Sequence, residues 1–251
     1  MNKKITFIIQ ARLSSTRLPN KVILPFWNGN TILNLLIEKL KQFNGCHIIL
    51  ATSDLPANLP LVDIAKKADI SCFQGSENDV LQRFIDAAES QNAEHIIRIC
   101  ADNPFLDANA IEELLHEIQS TENYDYISFL VNGCPSIKTH FGFWAEYVTL
   151  SALKKVRIST AESLYHEHVT NYIYTNPNQF NIKWLSPATC VENRHDIRLT
   201  IDTINDFNNA QTIYADLSQT NAFTISDIIT YVDQHPECKA TMKNEILTNT
   251  K

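Results

Sequence analysis

Residues 5–9 read Ile-Thr-Phe-Ile-Ile, and at Gln10 the chain turns polar at once. A short run of β-branched and aromatic side chains, apolar on both faces, is a strand from the interior of a sheet covered by helices on both sides. The pattern recurs. His47, Ile48, Ile49, Leu50 and Ala51 form a second run, closed by Thr52, Ser53 and Asp54, and His95, Ile96, Ile97, Arg98, Ile99 and Cys100 form a third. Between the first two, Thr31 can cap a helix whose apolar residues Ile32, Leu33, Leu36, Ile37, Leu40 and Phe43 share one face, ending near Asn44 and Gly45. Strand, helix and strand in about fifty residues make a βαβ unit, so an α/β fold with a mostly parallel central sheet is expected. Its crossover is right-handed.

Open α/β sheets bind ligands at the carboxyl ends of their strands. The first strand delivers QARLSSTRLPNK (10–21) to that edge, where Arg12, Arg17 and Lys21 are interleaved with Ser14, Ser15 and Thr16. Guanidinium forks, an ammonium and small hydroxyls so closely spaced suit a polyphosphate, although a solvated basic loop has the same composition. Two acids occupy comparable places. Asp102 follows the third run, and Asp202 follows Ile197, Arg198, Leu199, Thr200 and Ile201, which read as a strand lying across from another at 181–185. A carboxylate at a strand's end can ligate Mg²⁺ or simply terminate the strand. Asp107 reads as a helix cap, and Thr203 with Asp206 as a capping box for the helix that follows.

Elsewhere the spacing gives a short helix over 61–68, a short strand over 70–73, and a helix beginning near Val80 for which Ser76 and Asp79 form a capping box. Residues 126–130 read as a strand, 132–143 as a long loop, 146–156 as a helix, and 162–176 as a polar-faced helix. His166 and His168, two residues apart, point to different faces there, which argues against a shared metal. Ser226 can cap a last short helix over 227–232, and 245–251 reads as a polar tail. No internal repeat, low-complexity tract or linker marks a second domain, so a single domain over 1–251 is expected.

Composition narrows the function. A formal charge of −7 argues against a nucleic-acid surface while leaving room for a local basic pocket. Six singly spaced cysteines, with no C-x-x-C pair, read as thiols of a reducing compartment. The apolar run after Met1, Asn2, Lys3 and Lys4 is too short for a signal peptide, and no stretch is long enough to span a membrane, so a cytoplasmic enzyme is expected. Neither G-x-G-x-x-G after the first strand nor G-x-x-x-x-G-K-[ST] anywhere is present, which excludes the dinucleotide fingerprint and the Walker loop.

The loop resembles the signature of the cytidylyltransferases that make CMP-activated acidic sugars, A-R-x-x-S-T-R-L-P-x-K, through Ala11, Arg12, Ser15, Thr16, Arg17, Leu18, Pro19 and Lys21. With Gln10 before Ala11, it is most similar to the spore coat polysaccharide (SpsF-like) branch. Three further blocks resemble that branch in order: Gly75 to Phe84 (G-S-x-x-D-V-L-x-R-F), Ala101 to Leu106 (G-D-x-P-L-I), and Arg198 to Phe207 (R-x-T-x-D-T-x-x-D-F). Asn20 and Ala101 stand where the family has Gly, and Trp144 where it has Asp.

The resemblance implies a Rossmann-like nucleotidyltransferase fold of the nucleotide-diphospho-sugar transferase type. It implies CTP as donor, Mg²⁺ on Asp102 and Asp202, an acidic or keto-sugar acceptor, pyrophosphate as by-product and a homodimer. Arg12, Arg17 and Lys21 would hold the phosphates, with Ala11 and Ser15 also at the nucleotide and Ser76 and Asp79 either bordering it or only capping their helix. Glu146, His168 and Arg198 are carried over as acceptor-side residues, within a region at about 132–185 that shapes the acceptor pocket and pairs two subunits. Two alternatives share these residues: an NTP-dependent sugar 1-phosphate nucleotidyltransferase, and a catalytically idle nucleotide-binding subunit.

Overall fold

The structure, a computed structural model, describes residues 3–120, 122–220 and 222–249. Ten strands are present among them: β1 (Ile5–Gln10), β2 (Pro25–Trp27), β3 (Asn30–Thr31), β4 (His47–Ser53), β5 (Ser71–Gly75), β6 (His95–Cys100), β7 (Tyr126–Val131), β8 (Cys134–Pro135), β9 (Glu146–Thr149) and β10 (Ile182–Leu185). The α-helices are α1 (Ile32–Leu40), α2 (Leu59–Lys67), α3 (Val80–Ser90), α4 (Ala108–Ile118), α5 (Leu150–Ser159), α6 (Ser163–Glu167), α7 (Asn171–Thr175), α8 (Ile204–Thr220), α9 (Ile225–Gln234) and α10 (Pro236–Thr248).

The main sheet runs β10-β7-β9-β6-β1-β4-β5, with β8 on β7. β1 is central. It pairs in parallel with β4 (Ile8 opposite Ile49) and with β6 (Ile8 opposite Arg98), so the loops after β1 and β6 leave the same edge side by side. Alternation along β1 builds both layers of core: Ile5, Phe7 and Ile9 face the layer of α1, α4 and α8, while Ile8 joins Ile49, Ile96 and the apolar faces of α3 and α5. Parallel strands covered on both faces are the reason these runs are apolar throughout.

Several elements differ from the sequence reading. Residues 146–149 are a strand: β9 inserts antiparallel between β6 and β7, and the helix begins only at Leu150, capped by the Thr149 hydroxyl. The opposed strands of 181–185 and 197–201 do not form. β10 pairs in parallel with β7, and residues 199–201 dock on loops, Leu199 and Thr200 N–H donating to the His140 carbonyl and Ile201 N–H to that of Asp102. The helix over 162–176 is two short helices, α6 and α7. Thr224, not Ser226, caps α9, in a reciprocal box with Asp227. The polar tail is helical through Thr248 as part of α10, with 250 and 251 outside the described residues. Among the described residues no helix is long and apolar enough to cross a membrane.

Candidate active site

The loop after β1 is fixed at its base and open at its tip. Ala11 N–H donates to the Ala51 carbonyl, and Leu13 N–H to Oδ1 of the buried Asn58 at 2.8 Å. Asn58 is itself set by Nδ2 donating to Ser53 Oγ at 2.6 Å. Leu13, Leu18 and Val22 are buried, so Ser14, Thr16 and Arg17 between them face outward, while Lys21 is buried beside Val22. Asn20 N–H returns to the Leu13 carbonyl, and Asn20 lies at φ +60°, the left-handed region that Asn tolerates better than most residues. A cleft of about 370 Å³ opens above, lined by this loop from Gln10 to Lys21 and by Arg98, Asp102, Glu167, His168 and Asp202.

Lys21 crosses the floor of that cleft. Its ammonium lies 2.8 Å from Asp102 Oδ2 and 3.3 Å from Asp202 Oδ1, and Arg17 reaches Asp202 from the solvent side at 3.2 Å. Burial works to discharge Lys21, but the two carboxylates outweigh it and hold its pKa above the ordinary lysine value. Acids one hundred residues apart in the sequence therefore share one cation. Asp202 is placed by the Ile201 to Asp102 backbone bond and by Asp206 Oδ2, which accepts from the Asp202 and Thr203 N–H groups at 3.0 Å each. Thr203 Oγ1 accepts in turn from Asp206 N–H, so the capping box forms as expected.

A second buried charge network supports the cleft from below. Arg98 lies directly across from Glu146 in the β6–β9 register, 2.6 Å away, and donates to Gln10 Oε1 at 3.0 Å. Glu146, 1 % exposed, also accepts from Thr170 Oγ1 at 2.8 Å and from the Tyr126 hydroxyl. Burial opposes the charge on Arg98, and Cys100 and Glu146 more than offset it, raising its pKa. At the rim, Arg12 faces Glu167 at 3.4 Å and Glu77 at 3.9 Å.

The expected residues thus divide. Ala11, Arg12, Ser15, Arg17, Lys21, Asp102, His168 and Asp202 line one cleft. Glu146 does not reach it: the carboxylate is spent on Arg98, Tyr126 and Thr170, so it orients Arg98 from the interior. Arg198 is enclosed as well, its guanidinium held by Asp206 at 2.7 Å and Asp202 at 3.1 Å. Ser76 and Asp79 also lie outside the cleft lining. Ser76 Oγ accepts from Asp79 N–H, Asp79 Oδ1 caps α3 through Gln82 N–H, and Asp79 Oδ2 lies 2.9 Å from His166 Nδ1. Gln10, Arg98 and Glu167 line the cleft without having been given a site role from sequence. Gln10 ends the first strand before the basic loop, Arg98 is the one charge inside an apolar run and Glu167 adjoins His168, which were the available signals.

Among the described residues no group of three or more His, Cys, Asp and Glu side chains could hold a metal. The Asp102 and Asp202 pair already faces a cation, the Lys21 ammonium, and two carboxylates completed by substrate phosphates and water are the donor set a Mg²⁺ ion uses.

The chain is similar to known proteins over nearly its whole length. An uncharacterised protein of Methanocaldococcus jannaschii is 36% identical over 237 residues, covering 94% of this chain and 93% of that protein. The spore coat polysaccharide biosynthesis protein SpsF of Bacillus subtilis is 30% identical over 240 residues, covering 93% and 95%. A cytidylyltransferase from Leptospira borgpetersenii superposes with a TM-score of 0.81 at 28% identity, over 94% of this chain and 96% of that one. The fold also matches that of a CMP-2-keto-3-deoxy-manno-octonic acid synthetase solved with CTP, with a TM-score of 0.64 at 15% identity over 85% and 99%. The family model described as cytidylyltransferase matches residues 6–229, the span that carries the basic loop and both acids, and the chain accordingly belongs to the cytidylyltransferase family of nucleotidyltransferases.

Proposed function

We propose that this enzyme transfers CMP from CTP to a hydroxyl of an acidic or keto-sugar, releasing pyrophosphate, for surface polysaccharide or glycan synthesis. The observation that carries the reading is the convergence of Lys21 and Arg17 on Asp102 and Asp202 at one sheet edge, with Arg12 on the same cleft. Membership of the cytidylyltransferase family supports CTP as donor, as does the likeness to a synthetase solved with CTP. The likeness to SpsF supports a polysaccharide pathway.

In this reading the acceptor oxygen attacks the α-phosphorus, the bond from that phosphorus to the bridging oxygen breaks, and pyrophosphate departs as the hydroxyl proton is lost. Arg12, Arg17 and Lys21 bind the β- and γ-phosphates and neutralise the charge that develops on the leaving group. Asp102 and Asp202 would hold Mg²⁺, which would supply Lewis-acid stabilisation at the α-phosphate. His168 faces the acceptor side. Its imidazole is pushed below the usual histidine value by burial, against the pull of Glu167 and with the help of Arg98, Arg12 and Lys138. Lys21 would exchange its carboxylates for phosphate when the nucleotide binds, which would release Asp102 and Asp202. The enzyme is proposed to work as a homodimer in the cytoplasm, with the region near 132–185 shaping the acceptor pocket.

Pyrophosphate release with Mg²⁺ and a panel of sugar acids, keto-sugars, neutral sugars and sugar 1-phosphates, using CTP, UTP, ATP and GTP in turn, tests the reading. Turnover is expected only with CTP and a sugar acid or keto-sugar; preference for another nucleotide with a sugar 1-phosphate overturns it.

A further inference from the structure

The C-terminal helix carries a carboxylate where its packing calls for an apolar side chain. α10 buries one face through Cys238, Met242 and Glu245, at the helical spacing i, i+4, i+7, and Glu245 is only 4 % exposed. An acid in that position costs desolvation unless every oxygen is occupied. Both are. Glu245 Oε2 accepts from Thr203 Oγ1 at 2.9 Å and from Asn249 Nδ2 at 3.0 Å, and Oε1 accepts from Asn205 Nδ2 at 2.8 Å.

Two of these three partners follow directly on Asp202: Thr203 in the turn itself and Asn205 in the first turn of α8. That turn is already held from the inside by Asp206, through the Asp202 and Thr203 N–H groups, while Asp206 is held by Arg198. Glu245 closes it from the opposite side, on the Thr203 hydroxyl. The same helix end reaches the nucleotide loop as well, Asn249 Oδ1 lying 3.4 Å from Arg17 Nη1. The family match ends at residue 229, before α10 begins at Pro236, so Glu245 and Asn249 lie outside the span shared with the family model while their partners Thr203, Asn205 and Arg17 lie inside it.

We propose that Glu245 is a positioning residue for Asp202, and that α10 is thereby a working part of the catalytic apparatus. The inference rests on the cytidylyltransferase reading in which Asp202 holds the divalent ion. A carboxylate ligand performs best when the groups behind it fix its direction, and loss of such outer partners typically weakens metal affinity or activity about 10–100-fold. Glu245 touches no reacting atom; it acts through Thr203 and Asn205.

The test is Mn²⁺ uptake in the presence of CTP, read from the electron paramagnetic resonance signal of free Mn²⁺, beside kcat and the thermal unfolding midpoint. Glu245→Leu extends the apolar face of α10 but leaves three donors without their acceptor, so its unfolding midpoint is read beside Mn²⁺ affinity and kcat, which are expected to fall by about 10–100-fold, beyond the change in Met242→Ala. Glu245→Gln keeps one acceptor oxygen and is expected to lie between Leu and wild type. Met242→Ala loosens the same helix without touching the turn, and is expected to lower the midpoint while leaving Mn²⁺ uptake as in wild type. Wild-type uptake and turnover in Glu245→Leu overturn the proposal, as does a loss of Mn²⁺ affinity in Met242→Ala equal to that in Glu245→Leu. A wild-type enzyme that takes up no Mn²⁺ with CTP overturns the underlying reading as well.

Discussion

Lys21 holds the charge balance of the resting site. Two carboxylates this close repel unless a cation stands between them, and the Lys21 ammonium at 2.8 and 3.3 Å provides it until substrate arrives. Arg17 adds a second positive charge on Asp202 from the solvent side, and its side chain, half exposed, is free to swing toward phosphate. A preorganised donor at such a site is worth about 10²–10³ in rate. Arg17→Ala and Asp102→Asn are each expected to lower the steady-state rate of pyrophosphate release by at least that factor. Near-wild-type turnover in either variant removes the residue from the mechanism. Two of the departures from the family pattern, Asn20 and Trp144, have a local structural setting. Asn20 occupies the left-handed turn at φ +60°, as expected of an Asn in a glycine position. Trp144 is buried among Phe129, Phe141 and Phe143 while its edge reaches a small chamber beside the two acids, so an aromatic wall stands where the family has a carboxylate.

At the scale of elements, the loop after β1 is a rigid cradle rather than a flexible tether. Its base hangs on the Asn58 amide and its far end closes through the Asn20 turn, whose carbonyl accepts from the Ile23 and Leu24 N–H groups. Asn20→Ala places a Cβ in a left-handed conformation and is expected to cost about 1–2 kcal/mol, whereas Asn20→Gly is expected to hold stability near wild type. Urea unfolding of the two variants checks this, and equal losses would mean that the Asn side chain, not the backbone, is what the turn needs. β9 is the element that departs most from its sequence pattern. Ala145, Glu146, Tyr147 and Val148 are all buried, because the strand lies between β6 and β7 with helices on both faces. A run buried on every side has no period of its own, so the helix that begins at Leu150 could be traced back too far.

For the whole molecule, acid sensitivity follows from two histidines on opposite ends of β6 and its cleft. Burial lowers the pKa of His95, with Lys3 adding to it and Glu94 opposing, and burial likewise lowers that of His168. The unfolded chain then takes up protons at these sites before the folded one does, so stability is intact above the ordinary histidine pKa of about 6.5 and falls as pH drops below it. The urea midpoint is expected to be lower at pH 5.5 than at pH 7.5, with part of the difference removed in His95→Asn; a midpoint constant across that window would contradict the burial argument. The sequence by itself determined the strands β1, β4 and β6, the helices between them, and the placement of the Arg12 to Lys21 loop and Asp102 at the sheet's ligand edge. Each of these is a local consequence of apolar periodicity and of the place where a buried strand ends. Only the tertiary structure decided that Asp202 arrives on a docked loop instead of a strand, that Arg198 and Glu146 are enclosed, and that α10 returns to the site through Glu245. Those outcomes depend on which distant backbone and charged groups satisfy one another, and pairing across about forty to one hundred residues leaves no period in the chain to read.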